Sequence, residues 1–190
     1  MTTVVVVRKG GTAVIAADDL TTFGDTKLGP GYSTESKLFK SGDSMLGMAG
    51  DAASFLVFRN ALAALAPAKR ELRSRDGIFR TLLRLHPKMK DNFFLVTKEE
   101  DDDPYESSQI TALVANASGI FGIFSYREVY EYQRFWAIGS GREFALGAMF
   151  ASFDKLDSAR EIAELGVRAG CEFDKNSGGP VSVHTLKLKG

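Results

Sequence analysis

Met1-Thr2-Thr3-Val4-Val5-Val6-Val7-Arg8-Lys9-Gly10-Gly11-Thr12-Ala13-Val14-Ile15-Ala16-Ala17-Asp18 opens the chain, and its reading decides the fold. The four consecutive valines, the Lys-Gly-Gly break and the second run of small and β-branched residues predict a tight antiparallel hairpin buried on both faces. A turn centred on Lys9-Gly10 sets Thr2 opposite Ala17; one centred on Gly10-Gly11 sets it opposite Asp19. Both registers bring Asp18 beside Thr2. If Met1 is removed, Thr2 carries a hydroxyl and a free α-amine, and such an amine titrates at roughly 7.7 to 8 in model compounds. One residue then serves as nucleophile and base together. Taken alone, the stretch reads first as an ordinary start and an edge strand; the residues downstream change that balance.

The 190 residues suit one domain, 1–190, and the hydrophobic fraction of 44% is that of an ordinary globular chain. Lys plus Arg and Asp plus Glu both number 24, so no net field draws the chain to nucleic acid or to an acidic membrane. No run of about 18 apolar residues and no signal-peptide pattern stands in the sequence, which sets the expected address as cytoplasmic, with no membrane partner. Cys171 is the single cysteine, so an internal disulfide is excluded, and its helical setting predicts a buried thiol. With His86 and His184 as the only histidines, metal chemistry and cofactors are not expected.

Beyond the hairpin, Leu20 to Ser33 reads as a long loop punctuated by Gly24, Gly29, Pro30 and Gly31, a length that marks function. A second hairpin is predicted from Ser36 to Lys40, turning at Ser41-Gly42-Asp43 into Ser44 to Gly50, with Lys37 opposite Gly47 and Met48. A lysine among small and apolar neighbours needs an acid, and Asp18 is the expected one. Asp51 caps a helix carrying Phe55, Phe58, Leu62 and Leu65 up to Pro67, so the backbone amides at Gly50 and Asp51 are helix-start donors able to hold an oxyanion. A plain glycine before a capped helix gives the same pattern. A second helix is predicted from about Asp76 to Leu85, stopped at Pro87, with His86 at its end.

Strands are predicted at 92–97, 110–116, 120–125 and 135–138. The acidic run from Glu99 to Asp103 reads as a solvated loop tip, with calcium as the lesser reading. Gly139-Ser140-Gly141 leads into a helix bearing Phe144, Ala148 and Met149, without the residues of a phosphate-binding loop or an esterase elbow. Ser158-Ala159-Arg160-Glu161 is a capping box for a fourth helix striped by Ile162, Leu165 and Ala169 and closed by Gly170. A polar turn from Asp174 to Pro180 releases a last strand, Val181 to Leu188. This order of elements predicts an α+β fold: a four-layer αββα sandwich of two stacked sheets covered by helices.

Thr2-Thr3, Val14 to Asp18 with Thr22 and Gly24, Lys37-Leu38-Phe39, Ala49-Gly50, Gly139-Ser140-Gly141 and Asp174-x-x-Ser177-Gly178-Gly179 stand in an order that resembles the proteasome β-subunit and HslV peptidase family of N-terminal nucleophile hydrolases. Within it the pattern is most similar to the betaproteobacterial proteasome homologue. The resemblance implies a threonine endopeptidase acting on unfolded polypeptide through an acyl-enzyme on Thr2. Asp18 would hold Lys37, whose charge lowers the pKa of the Thr2 hydroxyl and amine, and Gly50 N–H would stabilise the oxyanion. Ser140, Asp174 and Ser177 would orient the amine. Thr22 and Ala49 would hold the substrate as an added strand, and Met48 and Ala52 would shape an apolar specificity pocket. The resemblance further implies a homo-oligomer of stacked six- or seven-membered rings, and by analogy with HslV a place for an AAA+ unfoldase that the chain does not name.

The match departs from the family pattern in places. An ungapped comparison brings Thr34 to the lysine's place; Lys37 is taken because Lys-Leu-Phe fits a strand and threonine carries no charge. Leu20 stands where many proteasome subunits have arginine. A chain that keeps Met1 has its amine blocked and should be inactive. The long loop from Asp25 to Ser33 is expected to narrow an inner cavity and filter substrates. Two other classes compete: a ring-forming scaffold of the same fold that binds without cutting, and a small-molecule amidohydrolase.

Overall fold

The computed structural model describes residues 2–28, 32, 36–98, 100 and 102–189. Met1, Gly29 to Gly31, Ser33, Thr34, Glu99 and Asp101, on which some of the expectations above fall, lie outside the described residues.

Strands β1 (Thr3–Lys9) and β2 (Thr12–Asp18) form the first hairpin in the register set by a Gly10-Gly11 turn, with Val4 opposite Ala17. Both glycines have positive φ, at 57° and 70°, as the mirror-image turn of a two-residue hairpin requires. Leu20 to Leu28 is not a plain loop. It holds a small hairpin, β3 (Thr21–Phe23) and β4 (Thr26–Leu28), turning at Gly24. Strands β5 (Leu38–Ser41) and β6 (Ser44–Ala49) pair as expected, with Leu38 opposite Gly47 and Met48 N–H donating to the Lys37 carbonyl at 3.4 Å.

Helix α1 (Ala52–Ala63) starts at Asp51, whose carboxylate accepts from Ser54 N–H at 2.8 Å. Helix α2 corrects the expected break at Pro87 and the strand expected at 92–97, because it runs unbroken from Arg75 to Phe93. The proline sits on the exposed side, and the buried stripe of Ile78, Leu82, Leu85 and Met89 continues on both sides of it. Burial of that face outweighs the roughly 3 kcal/mol penalty of an interior proline. His86 is therefore inside a helix, bonded through Nδ1 to Ser108 Oγ and through Nε2 to Glu106 Oε2, both at 2.8 Å.

The chain continues with β7 (Thr111–Asn116), β8 (Gly119–Ile123), an unanticipated β9 (Val129–Tyr132) and β10 (Phe135–Gly139). Helix α3 (Arg142–Phe153) buries Ala145, Met149 and Phe153 while Phe144 stays partly exposed. Helix α4 (Ala159–Phe173) is capped by Ser158 Oγ accepting from Glu161 N–H at 3.2 Å. It corrects two expectations: Gly170 is interior to the helix rather than its end, and Leu165 faces outward while Gly166, Val167 and Gly170 face in. Strand β11 (Val181–Lys187) closes the chain.

One sheet has the order β10-β1-β2-β11 and the other β5-β6-β7-β8-β9. Three apolar clusters separate four layers. Val4, Val6, Ile15, Leu38, Leu113 and Ile138 fill the space between the sheets. Val5, Val7, Met149, Ile162 and Val167 join the first sheet to α3 and α4, and Leu46, Phe58, Leu82 and Phe121 join the second to α1 and α2. Successive valines of β1 thus alternate between two cores, which is why the strand reads as continuously apolar.

Close approach of the sheets depends on Gly47, where an added Cβ would lie 2.6 Å from Val4 Cγ1 and 2.7 Å from Leu38 Cδ2. Gly47→Ala is expected to cost about 1–3 kcal/mol through overpacking, read as a lower urea midpoint with an unchanged denaturant slope.

Candidate active site

The β1–β2 register carries Asp18 to the end of its strand, fully buried beside Thr2 and Thr3. Its carboxylate is saturated. Oδ1 accepts from Thr2 Oγ1 at 2.6 Å and from Thr3 N–H at 2.7 Å. Oδ2 accepts from Lys37 Nζ at 2.8 Å, Gly178 N–H at 2.9 Å and Leu20 N–H at 3.2 Å. The donors come from the first strand, the β2–β3 link, the residue preceding β5 and the turn preceding β11. Burial pulls the Lys37 ammonium below the ordinary lysine range, and the charge and hydrogen bond of Asp18 oppose this without cancelling it.

A second acidic centre lies at the end of α4, where Asp174 is the C-cap residue. Its Oδ2 accepts from Ser140 Oγ at 2.6 Å and Ser177 Oγ at 2.7 Å, and its Oδ1 from Asn176 N–H at 3.3 Å. Burial pushes this carboxyl up, but the donors from Ser140, Ser177 and Asn176 outweigh it and hold the group below the usual aspartate range. Ser177 Oγ also lies 2.7 Å from Thr3 Oγ1. Because the single Ser177 proton points to Asp174, Thr3 is the donor in that pair.

The strand end carrying Thr2 and Thr3 is enclosed by glycines. Gly139 has φ of 94°, and a Cβ there would lie 2.0 Å from the Thr2 carbonyl oxygen. Cβ atoms at Gly141 and Gly170 would lie 2.1 and 2.2 Å from Thr3 Oγ1. The Gly139-Ser140-Gly141 pattern is thus explained by backbone contact with the first strand rather than by phosphate binding.

Thr2 opens on its other side into a cavity of about 450 Å³. Lys37, Gly50, Thr22, Met48, Ala49 and Ala52 all line it, together with Phe55 and Leu56 on α1 and Phe23 on the small hairpin. Gly50 has φ of 138°, a conformation that L side chains rarely adopt, immediately before the Asp51 cap of α1. The expected site residues therefore fall into a cavity group that includes Thr2 and Lys37, the buried Asp18 that holds both, and the Ser140, Asp174 and Ser177 group, which reaches the first strand through Thr3. Sequence reasoning does not reach Thr3, Gly170 or the amides of Leu20 and Gly178 as site residues. The one available signal was a second hydroxyl residue at the head of an otherwise apolar strand.

Cys171 is half-buried on α4, and burial, with a smaller push from Asp18, raises its thiol to about 11, so it is not a thiolate nucleophile at neutral pH. Among the described residues, no group of three or more His, Cys, Asp or Glu side chains is placed to hold a metal ion. No helix among them is long and apolar enough to cross a membrane.

Comparison with known proteins adds to this geometry. A family model described as "Proteasome subunit" matches residues 1–186. The fold is similar to that of Thiobacillus denitrificans BPH in complex with epoxomicin, with 36% identity over 99% of this chain and 100% of that one and a TM-score of 0.90. Another structure of Thiobacillus denitrificans BPH gives 38% identity over 98% of each chain and a TM-score of 0.89. Eukaryotic HslV from Trypanosoma brucei, at 23% identity over 97% of this chain and 99% of that one, shares the fold with a TM-score of 0.68.

Asp18→Asn tests how far the cluster depends on its charge. The substitution turns one acceptor oxygen into a donor facing other donors and leaves Lys37 without its buried anion. The expected loss is about 3–5 kcal/mol by urea titration, part of it recovered when Lys37→Met is added.

Proposed function

The chain belongs to the proteasome subunit family, whose peptidases share the N-terminal nucleophile fold, and from that premise we propose that it is a threonine endopeptidase acting on unfolded polypeptide. The observation that carries the proposal is the hydrogen bond of Thr2 Oγ1 to the buried Asp18, whose other oxygen holds Lys37, with Thr2 and Lys37 both lining the cavity. Once Met1 is removed, the α-amine of Thr2 takes the hydroxyl proton through a water, and Oγ1 attacks the scissile carbonyl. The bond formed is an ester to Thr2, and the proton is passed to the departing amine. Water then hydrolyses the ester by the same relay.

Lys37 favours the ionised threonine oxygen and the neutral amine, since a nearby positive charge stabilises an anion and disfavours a second cation. Gly50 N–H stabilises the tetrahedral oxyanion, a contact worth about 2.7–4 kcal/mol in other hydrolases. Ser140, Asp174 and Ser177 orient the amine from behind the strand. Thr22 and Ala49 hold the substrate backbone as an added strand, and Met48 and Ala52 favour apolar side chains in the pocket. Family membership supports homo-oligomerisation; the proposed assembly is a double ring of six or seven subunits, with active sites inside, in the cytoplasm. An AAA+ unfoldase would deliver folded substrates to such a chamber.

A peptide epoxyketone tests the reading directly, since closing its ring adduct needs both a free α-amine and the adjacent hydroxyl; Thiobacillus denitrificans BPH is known in complex with epoxomicin. Intact mass and N-terminal sequencing are expected to show loss of Met1 and one adduct on Thr2. Thr2→Ala should abolish both adduct and turnover, and Lys37→Ala should lower turnover roughly 10²-fold or more. Cleavage of a casein-like protein separates the peptidase from a narrow amidohydrolase. Turnover that survives Thr2→Ala would overturn the assignment.

A further inference from the structure

Thr3 is fully buried at the head of a strand whose next four residues are valines. Valine has the same shape and a higher strand preference, so neither packing nor β-structure calls for a hydroxyl there. A buried hydroxyl is costly unless it is bonded. The Thr3 hydroxyl is bonded, to Ser177, and its backbone N–H is bonded to Asp18. It is also held in place from above, because Gly141 and Gly170 leave no space between their backbones and Oγ1.

We propose that Thr3 is a positioning residue of the peptidase, joining the Asp18–Lys37 pair on one side of Thr2 to the Asp174–Ser140–Ser177 cluster on the other. The inference rests on the reading of Thr2 as nucleophile and goes beyond it. The main-chain N–H of Thr3 fixes Oδ1 of Asp18, the oxygen that also receives the Thr2 hydroxyl. Its side-chain proton occupies a lone pair of Ser177 Oγ, which leaves the Ser177 proton directed at Asp174 Oδ2. Ser140 completes the set by donating to the same oxygen, Asp174 Oδ2. A chain of donors, Thr3 to Ser177 to Asp174, therefore sets the rotor of a serine proposed to orient the Thr2 amine. Without the first member, Ser177 is free to turn its proton elsewhere, and Asp174 loses part of the donation that stabilises its ionised form.

The test compares wild type, Thr3→Val, Thr3→Ser, Ser177→Ala and the Thr3→Val/Ser177→Ala double variant. Met1 removal is checked by mass in each. The readouts are the rate of peptide-epoxyketone adduct formation at neutral pH, and the urea midpoint against pH. Thr3→Val is expected to slow adduct formation roughly 3- to 10-fold at neutral pH, the worth of one hydrogen bond. It should also bring the acid-side loss of stability to higher pH. The folded Asp174 carboxyl lies below the usual range because donors favour the carboxylate, so the stability it confers is lost as pH falls through that value, and losing donation raises the value. Thr3→Ser should restore the rate and the acid-side midpoints, and Thr3→Val should add nothing once Ser177 is alanine.

A Thr3→Val enzyme with wild-type rate and acid-side midpoints overturns the inference, as does an effect undiminished in the Ser177→Ala background. If Thr3→Val does not fold, Thr3→Ala against Thr3→Ser decides: a slowed, acid-shifted alanine variant beside a wild-type-like serine variant supports the link, and an alanine variant with wild-type behaviour overturns it. A wild-type protein lacking Met1 that forms no adduct instead refutes the nucleophile reading itself, and this inference falls with it.

Discussion

The structure depends on one buried carboxylate. Asp18 has no exposure to solvent, and moving such a group out of water carries an effective penalty of several kcal/mol. Five donors offset that penalty, and they come from segments far apart in the chain: Thr2 and Thr3, Leu20, Lys37 and Gly178. Three of the five are backbone amides. The carboxylate is thus held by main chain whose position the two sheets and the turn before β11 already fix. A surface ion pair could not define geometry in this way, because water would compete for every contact and the side chains would retain their rotamer freedom.

The same region needs close packing that only glycine allows. The two helices over the first sheet approach the head of β1 at Gly141 and Gly170, and β10 approaches it at Gly139. A methyl group at any of these would collide with Thr2 or Thr3 at about 2 Å. The consequence is a strand end pinned on its buried side by glycines, serines and an aspartate, and open on the other to the cavity. Rigidity and access are divided between two faces of one β-strand, which is possible because successive side chains point in opposite directions.

What sequence reasoning could see follows from how local each signal is. The first hairpin and the Asp51 and Ser158 caps depend on residues near one another in the chain and are legible there, and the order of strands and helices along the chain is enough to predict the layers. Propensity rules failed where burial overrode them: Pro87 lies within a helix because the stripe from Ile78 to Met89 stays buried around it. Thr3 escaped as a functional candidate because its partner Ser177 lies 174 residues away, and threonine in a strand is unremarkable on its own. Gly170 reads as a helix end because glycine commonly ends helices; its real constraint is a contact with Thr3 that nothing in the local sequence announces. The Lys37 pairing with Asp18 was legible only because a lysine predicted between small neighbours demanded an acid.

The balance at Lys37 shows why the carboxylate had to be fixed first. Burial alone favours the neutral amine, and the anion beside it draws the value back up. Any group filling the cavity that Lys37 lines would remove further water from the ammonium and add to the burial effect. If Asp18 could relax away, the cation would lose its partner when the site became driest. Its other contacts prevent this: Thr3 N–H, Leu20 N–H and Gly178 N–H hold the carboxylate whether or not the cavity is filled. The attraction between the two charges strengthens as the surroundings lose water, since the same separation then lies in a medium of lower dielectric constant. Filling the cavity therefore strengthens both burial and attraction, and the attraction keeps pace with burial only because the opposing carboxylate cannot move.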